Sequence, residues 1–177
     1  MPVTAARVVK AVQKVSSAPA FARIAPHVVP ALDRVVHRLT RGKVLLSAQL
    51  LPGVVLTVRG AKSGQPRHTP LACMPEEPTE GSGKETGKET GKESGGSWLL
   101  IGSNFGRTGH PAWTANLLAH PDAEVSWKGE DIPVTARLLA GAERDAAWKA
   151  LLAFWPPYAT YQARVEREIR IFRIVRR

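Results

Sequence analysis

Residues 57–71 place a turn rich in glycine and proline between two apolar stretches that contain β-branched residues. Glycine and proline favour tight turns, whereas β-branched residues favour extended backbone. The segment therefore predicts a strand, a turn and a second strand. Gly60, Gly64 and Pro66 supply the unusual dihedral angles of this turn, so that backbone amides can approach a ligand closely.

The same turn carries hydrogen-bond donors for an anion. Lys62 and Arg67 offer charged donors, and the Ser63 hydroxyl offers a neutral one. The turn is a candidate phosphate cradle, and a surface hairpin with solvated basic residues is the alternative. A nucleotide-binding P-loop is excluded, because that motif needs an earlier glycine and a following helix, and neither is present.

Two further segments make the functional interpretation more specific than an isolated turn would. Residues 103–117 combine a polar turn containing glycine with a helix start, and residues 155–162 combine prolines with two tyrosines. With the first turn they give the patterns G-x-K-S-G-x-x-R-x-x-P-L, S-x-x-G-x-x-x-x-P-x-W-x-x-N-L and P-x-Y-x-x-Y-Q.

This combination resembles the deazaflavin-dependent nitroreductase family, from about Val54 to the C-terminus. The resemblance implies a split β-barrel that binds coenzyme F420. It also implies a cofactor groove lined by Lys62, Ser63, Arg67, Thr69, Pro70, Leu71, Ser103, Asn104 and Gly106. We add Gly64, Trp113 and Asn116 to the candidate cofactor-binding residues, because they lie in the same segments. The sequence departs from the common pattern at Phe105, where glycine is usual, and in a long insert after Met74.

The resemblance places Tyr158 and Tyr161 at the substrate pocket, and Trp155 completes an aromatic wall beside them. A planar acceptor would lie against this wall, and the tyrosine hydroxyls would hydrogen-bond or protonate it. A packed C-terminal turn is the alternative. Trp113 likewise has a packing alternative in the core, and we expect Asn116 to fix the loop that precedes its helix.

The hydrophobic pattern predicts an α+β fold that is mainly β. Its six strands suit the split barrel that the resemblance implies. The six predicted strands are residues 54–59, 68–74, 98–103, 123–127, 132–139 and 169–175. One predicted helix begins with Pro111 and ends before Pro121, and another covers residues 143–153.

Residues 1–45 form a basic extension that precedes the predicted F420-binding domain, residues 46–177. The extension has eight basic residues against one acid, Asp33, and residues 4–15 have the period of an amphipathic helix. A second helix is predicted from Val28 to Leu39. We expect them to cap the barrel, with docking to an anionic membrane surface as the alternative. Residues 75–97 contain a Gly-Lys-Glu repeat without large apolar groups, which predicts a disordered insert.

Composition is that of a soluble globular protein of 177 residues, 44% hydrophobic and 23% charged. The net charge of +10 suits an anionic ligand or membrane, but no nucleic-acid motif accompanies it. The single cysteine, Cys73, excludes an internal disulfide, and the histidines lack metal-ligand spacing. No stretch approaches the roughly 18 apolar residues of a membrane span. These features fit a reducing cytoplasm.

The predicted function is an oxidoreductase that uses reduced coenzyme F420 to transfer hydride to a quinone, nitroaromatic or activated double bond. The sequence contains no triad, paired carboxylates or metal set, and the cofactor would supply the chemistry. The alternatives are an FMN-binding reductase of the same barrel type and a non-catalytic cofactor- or lipid-binding barrel at the membrane. We expect a cytoplasmic protein, peripheral to the inner membrane face in the docking alternative, that pairs as a homodimer.

Overall fold

Strands and helices alternate along the residues described by the computed structural model, which are 51–76 and 96–177. The strands are β1 (Gly53–Arg59), β2 (Pro66–Glu76), β3 (Ser97–Ile101), β4 (Asp122–Trp127), β5 (Glu130–Leu138) and β6 (Ile171–Arg176). The helices are α1 (Ala112–Ala119), α2 (Gly141–Phe154) and α3 (Pro157–Ala163).

The six strands close into a barrel in the order β1-β2-β3-β6-β5-β4, and every neighbouring pair is antiparallel. Closure comes from β4, which pairs with the middle of β1. A closed sheet has no edge strand along which another chain could pair. The predicted six-stranded barrel with accompanying helices is confirmed.

Alternate residues of the first barrel strand belong to the barrel core, and Val55 between them is buried as well. Val54, Leu56 and Val58 are buried in the barrel interior, whereas Arg59 is exposed. The register pairs Arg59 with Pro66, and a turn of residues 60–65, the basic turn below, therefore joins β1 to β2. This is the strand, turn and strand predicted from the sequence.

Two apolar clusters hold the described residues together. The first fills the barrel and includes Trp113 from α1, whose ring lies 5.6 Å from that of Phe172 on β6. The second lies between α2, α3 and neighbouring barrel residues. Its members from the predicted helix 143–153 are Ala147 and Leu151, both buried as expected. Helix α3 was not predicted as a helix, because its seven residues, with Pro156 before it and Pro157 as its first residue, give too short a periodic pattern.

Strand pairing continues into the insert predicted at residues 75–97. Glu76 at the end of β2 pairs with Ser97 at the start of β3, and the Ser97 hydroxyl donates to Glu76 Oε2 at 2.8 Å. Arg173 on β6 holds the same carboxylate through Nε to Oε2 at 2.7 Å and Nη2 to Oε1 at 2.9 Å. These contacts extend the ordered sheet to Glu76 and Ser97.

The predicted helices of residues 1–45 and the Gly-Lys-Glu repeat lie outside the described residues. Within the described ranges, no helix has the length and apolar character needed to cross a bilayer.

Arg173 is expected to contribute measurably to stability, because it also pairs with Glu143 on α2 and is only 26% exposed. Its hydrogen bonds to Glu76 raise its pKa. Replacing Arg173 by Leu leaves two carboxylates without this partner, and we expect the free energy of unfolding to fall by about 1–2 kcal/mol.

Denaturant unfolding measures this change, and Arg137→Leu is the matched control. Arg137 also pairs with Glu143, but its side chain is 59% exposed, so solvent screens the pair and the loss should be smaller. Equal losses of unfolding free energy in the two variants would contradict the assignment of Arg173 as the central residue of the ion pairs with Glu76 and Glu143.

Candidate functional site

The basic turn is held by hydrogen bonds within its own backbone. The amide of Gly60 donates to the carbonyl of Gln65 at 2.9 Å, and the amide of Gly64 donates to the carbonyl of Gly60 at 2.8 Å. Gly64 has φ +67°, a left-handed conformation that favours glycine. At Gly60 space is tight, since a Cβ would lie 2.6 Å from Ser63 Oγ and 3.2 Å from the carbonyl oxygen of Gln65, and the Ser63 side chain would have to move.

The turn leaves several donors directed to no other group. The backbone amides of Lys62 and Ser63 make no hydrogen bond to any residue in ranges 51–76 and 96–177. Both side chains are exposed, as is that of Arg67, whose Nη2 donates to Ser63 Oγ at 3.2 Å. Two adjacent free amides beside an ammonium and a guanidinium form a donor set that fits a phosphate or carboxylate.

Asn116 connects helix α1 to the basic turn. Its Oδ1 accepts a hydrogen bond from the amide of Ala61 at 3.0 Å. The prediction that Asn116 fixes the loop preceding its own helix is therefore corrected: the side chain holds the β1–β2 turn, 55 residues away in sequence. The two sequence segments singled out for the cofactor are thus physically linked.

The loop of residues 102–110, the 102–110 loop below, has an unusual backbone. Asn104, Phe105 and Gly106 have φ values of 49°, 54° and 74°, which are left-handed in three successive residues. A left-handed conformation costs a residue such as Phe of the order of 1–3 kcal/mol and persists only where its surroundings enforce it. The position at which the resemblance implies glycine is therefore one where this chain holds a phenylalanine in a glycine-like conformation.

Close packing against α3 enforces part of this conformation. A Cβ at Gly106 would lie 2.9 Å from the carbonyl oxygen of Tyr161, so no larger residue fits. The ring of Phe105 lies 6.1 Å from that of Tyr161 in an edge-to-face arrangement. The Asn104 carboxamide donates to the carbonyl of Gly109 at 2.8 Å, across the loop. The predicted cofactor residues Asn104 and Gly106 thus act on loop conformation.

Arg167 is a residue of this site that sequence reasoning missed. Its guanidinium donates at 3.0 to 3.3 Å to the carbonyl oxygens of four residues of the 102–110 loop, Gly102, Ser103, Arg107 and Thr108. Its Nη1 also lies 3.2 Å from His110 Nδ1. The only sequence signal is the density of arginines near the C-terminus, which does not distinguish Arg167 from its neighbours.

The contact with Arg167 fixes the state of His110. A guanidinium can only donate, so His110 Nδ1 accepts and the ring is neutral with its proton on Nε2. Burial, followed by the charges of Arg170 and Arg167, lowers the pKa of His110 below the ordinary value of 6.5. His110 is thus neutral near pH 7.

The predicted aromatic wall is packed in the second apolar cluster. Trp155, Tyr158 and Tyr161 are 6%, 5% and 2% exposed, and the two tyrosine rings lie 6.1 Å apart. Burial raises the pKa of Tyr158, which keeps its hydroxyl protonated at neutral pH. The three side chains are brought together as predicted. Their contact with a substrate stays a prediction.

Other predicted cofactor residues occupy structural positions. Thr69, Pro70 and Leu71 pair with β1, and Leu71 packs against the core within the barrel. Trp113 is buried in that core, the packing alternative considered for it. Trp113 therefore fixes α1 against the barrel core. Ser103 contributes its carbonyl to Arg167 and Gly106, so its backbone has a definite role in the loop.

The lone cysteine is buried, and burial raises the pKa of Cys73 to about 12. The thiol is therefore protonated near neutral pH and is a poor nucleophile. In the described segments, no three His, Cys, Asp or Glu side chains are grouped so as to hold a metal ion.

The fold and this donor set define a small barrel protein with a turn suited to an anionic cofactor. Residues 80–175, more than half of the chain, match the family model described as F420H(2)-dependent quinone reductase. The chain belongs to this family. It is an oxidoreductase that uses F420H2 to reduce quinones, and the predicted resemblance, enzyme class and cofactor are confirmed.

Individual relatives agree with the family match. An F420H(2)-dependent quinone reductase of Mycobacterium tuberculosis is 28% identical over 153 residues, covering 82% of this chain and 89% of that protein. A solved F420-H2 dependent reductase, FDR-A, has a TM-score of 0.53 and 33% identity, covering 70% of this chain and 93% of its own. Another solved structure, described as a domain-swapped dimer, has a TM-score of 0.55 and 29% identity, covering 81% and 96%.

His110 should make the stability of the fold depend on pH. The pKa of His110 is lower in the folded state than in the unfolded state, where it is about 6.5. Below pH 6.5 the unfolded state therefore binds more protons than the folded state. The stability due to neutral His110 is thus present above pH 6.5 and is lost on acidification. His110→Asn keeps an acceptor for Arg167 but does not titrate. We expect its free energy of unfolding to depend less on pH between about 5 and 8.

Denaturant unfolding at a series of pH values measures this dependence, and an NMR titration of the His110 ring gives the pKa directly. His120→Asn, at the end of α1, controls for the loss of a histidine elsewhere. A His110 ring that titrates at or above 6.5 would contradict the structural assignment.

Proposed function

We propose that the enzyme holds reduced coenzyme F420 between the basic turn and the 102–110 loop while hydride passes to a quinone. The observation that supports this site most strongly is the pair of free amides at Lys62 and Ser63, beside two cationic side chains. The hydrogen bond from Ala61 to Asn116 supports placing both segments in one site, since α1 follows the 102–110 loop directly.

Coenzyme F420 fits this donor set because its phosphodiester and glutamate tail are anionic. When bound, the reduced deazaflavin supplies the hydride, and the chain supplies binding and orientation. Lys62 and Arg67, with the amides of Lys62 and Ser63, would hold the phosphate. Each charge-assisted hydrogen bond contributes about 1.5–3 kcal/mol, so a few of them suffice for micromolar affinity.

The remaining predicted groove residues would act mainly through backbone and packing. Gly64 lets the basic turn close, and Gly106 lets the 102–110 loop approach α3. Ser103 and Asn104 would face the cofactor from that loop. Thr69, Pro70, Leu71 and Trp113 would support the groove from β2 and α1.

The acceptor would lie on the side of α3, where Tyr158 and Tyr161 pack with Trp155. A protonated Tyr158 is suited to donate a hydrogen bond to a quinone oxygen, since its raised pKa disfavours release of the proton. Phe105, which contacts Tyr161, would shape the boundary between this side and the cofactor. Nitroaromatics and activated double bonds are further acceptors of the same proposal.

The wider organisation is also proposed. Residues 46–177 would form the F420-binding domain, with residues 1–45 as a basic extension. The insert, predicted at 75–97, would be a spacer between the end of β2 at Glu76 and the start of β3 at Ser97. The solved relative described as a domain-swapped dimer supports a homodimer. We place the enzyme in the cytoplasm, and docking of its basic extension to the inner face of the membrane is the alternative to capping of the barrel.

A direct comparison of cofactors tests the proposed site. Purified enzyme should bind F420 and oxidise F420H2 when a quinone is added, and FMN should bind more weakly. Lys62→Ala with Arg67→Ala should raise the dissociation constant of F420 about tenfold or more, since a tenfold change needs only 1.4 kcal/mol.

Lys149→Ala is the matched control, because Lys149 is an exposed lysine on α2. Unchanged F420 affinity in the double variant would remove the cradle. Tighter binding of FMN would favour the flavin-dependent alternative, and F420 binding without oxidation by any quinone would favour the non-catalytic one.

Membrane docking makes a separate prediction. Residues 4–15 have the period of an amphipathic helix, with Arg7, Lys10 and Lys14 on the side opposite the valines. We therefore expect weak cosedimentation with anionic vesicles, and we expect added salt to reduce it. A variant with these three residues changed to Gln should lose the anionic preference. Equal sedimentation with neutral and anionic vesicles, at low and high salt, would contradict docking.

A further inference from the structure

Arg167 contacts both sides of the 102–110 loop at once. On the N-terminal side it donates to the carbonyls of Gly102 and Ser103, and on the C-terminal side to those of Arg107 and Thr108. The left-handed residues 104–106 lie between these two sides. The guanidinium therefore bridges the two ends of the 102–110 loop, which contains the backbone conformation that costs the most energy by itself.

The contacts engage the whole donor capacity of the side chain. All three nitrogens of Arg167 take part, in six contacts to four carbonyls and one ring nitrogen. A guanidinium has five N–H groups in a fixed planar fork, whereas a lysine ammonium has three donors at one point. Only arginine can satisfy this set of acceptors.

Arg167 is itself anchored to α3. The Gln162 carboxamide donates to the carbonyl of Arg167 at 2.9 Å, and its Oε1 accepts from the amide of Ile169 at 3.0 Å. Gln162 follows Tyr161, which packs against Phe105 and Gly106. A continuous path of contacts thus runs from α3 through Arg167 to the carbonyls of the 102–110 loop.

We infer that Arg167 is a positioning residue that orders the 102–110 loop and thereby the cofactor side of the active site. This inference rests on the proposed function only for its effect on F420, because the ordering of the loop is independent of the ligand. The two parts are separated by two measurements, one without cofactor and one with it.

The first measurement is hydrogen exchange of the cofactor-free enzyme. The amides of Gly106 and Arg107 donate within the loop, to the carbonyls of Ser103 and Asn104. In Arg167→Ala they should exchange at least tenfold faster than in the wild type. Arg177→Ala, which removes an exposed arginine paired with Asp122, should leave them unchanged. Wild-type exchange in folded Arg167→Ala would overturn the inference.

The second measurement is steady-state kinetics with F420H2 and a quinone. Arg167→Ala should raise KM for F420H2 about tenfold with less than a twofold change in KM for the quinone, and guanidinium chloride at sub-denaturing concentration should restore part of the loss. Sodium chloride at the same concentration should not. A general loss of folding would affect both KM values and would not be rescued.

Arg167→Lys decides the matter if Arg167→Ala does not fold. It keeps the charge but not the fork, so it should show faster loop exchange and weaker F420H2 binding than the wild type. Wild-type behaviour of Arg167→Lys in both measurements would overturn the inference. If wild-type enzyme binds no F420, the proposed function fails, while the exchange measurement still decides the role of Arg167.

Discussion

Closure of the barrel by β4 on β1 is the constraint on which the described structure depends. It buries the inward side of β1 in the core that contains Trp113 and Phe172. Because the interior is closely packed, α1 cannot shift without disturbing the barrel core. The hydrogen bond from Ala61 to Asn116 therefore links the basic turn to a rigid support.

Rigid support matters for a reductase whose cofactor supplies the chemistry. The contribution of the chain is to hold an anionic ligand in one orientation and to keep a defined surface for the acceptor. In the proposed site, the free amides at Lys62 and Ser63 would meet the first need without any rearrangement of the turn. The packed tyrosines of α3, of which Tyr161 contacts Phe105, would meet the second.

Sequence reasoning predicted the parts of this structure that local chemistry determines. The basic turn depends on Gly60 and Gly64 within six residues, and the strands depend on short alternation, so both could be inferred. Asn116 and Arg167 act across 55 to 65 residues, and only the pairing of distant strands, β1 with β4 and β3 with β6, brings them to their partners. Their side chains were therefore assigned a local role or missed. Helix α3 was missed because tertiary packing stabilises its seven residues.

The most direct test of the account is a crystal structure of the enzyme with F420 bound. We predict that the phosphodiester lies within hydrogen-bond distance of the Lys62 and Ser63 amides, with the deazaflavin ring beside the 102–110 loop. A cofactor bound elsewhere on the barrel, or a phosphate that contacts neither amide, would contradict the account.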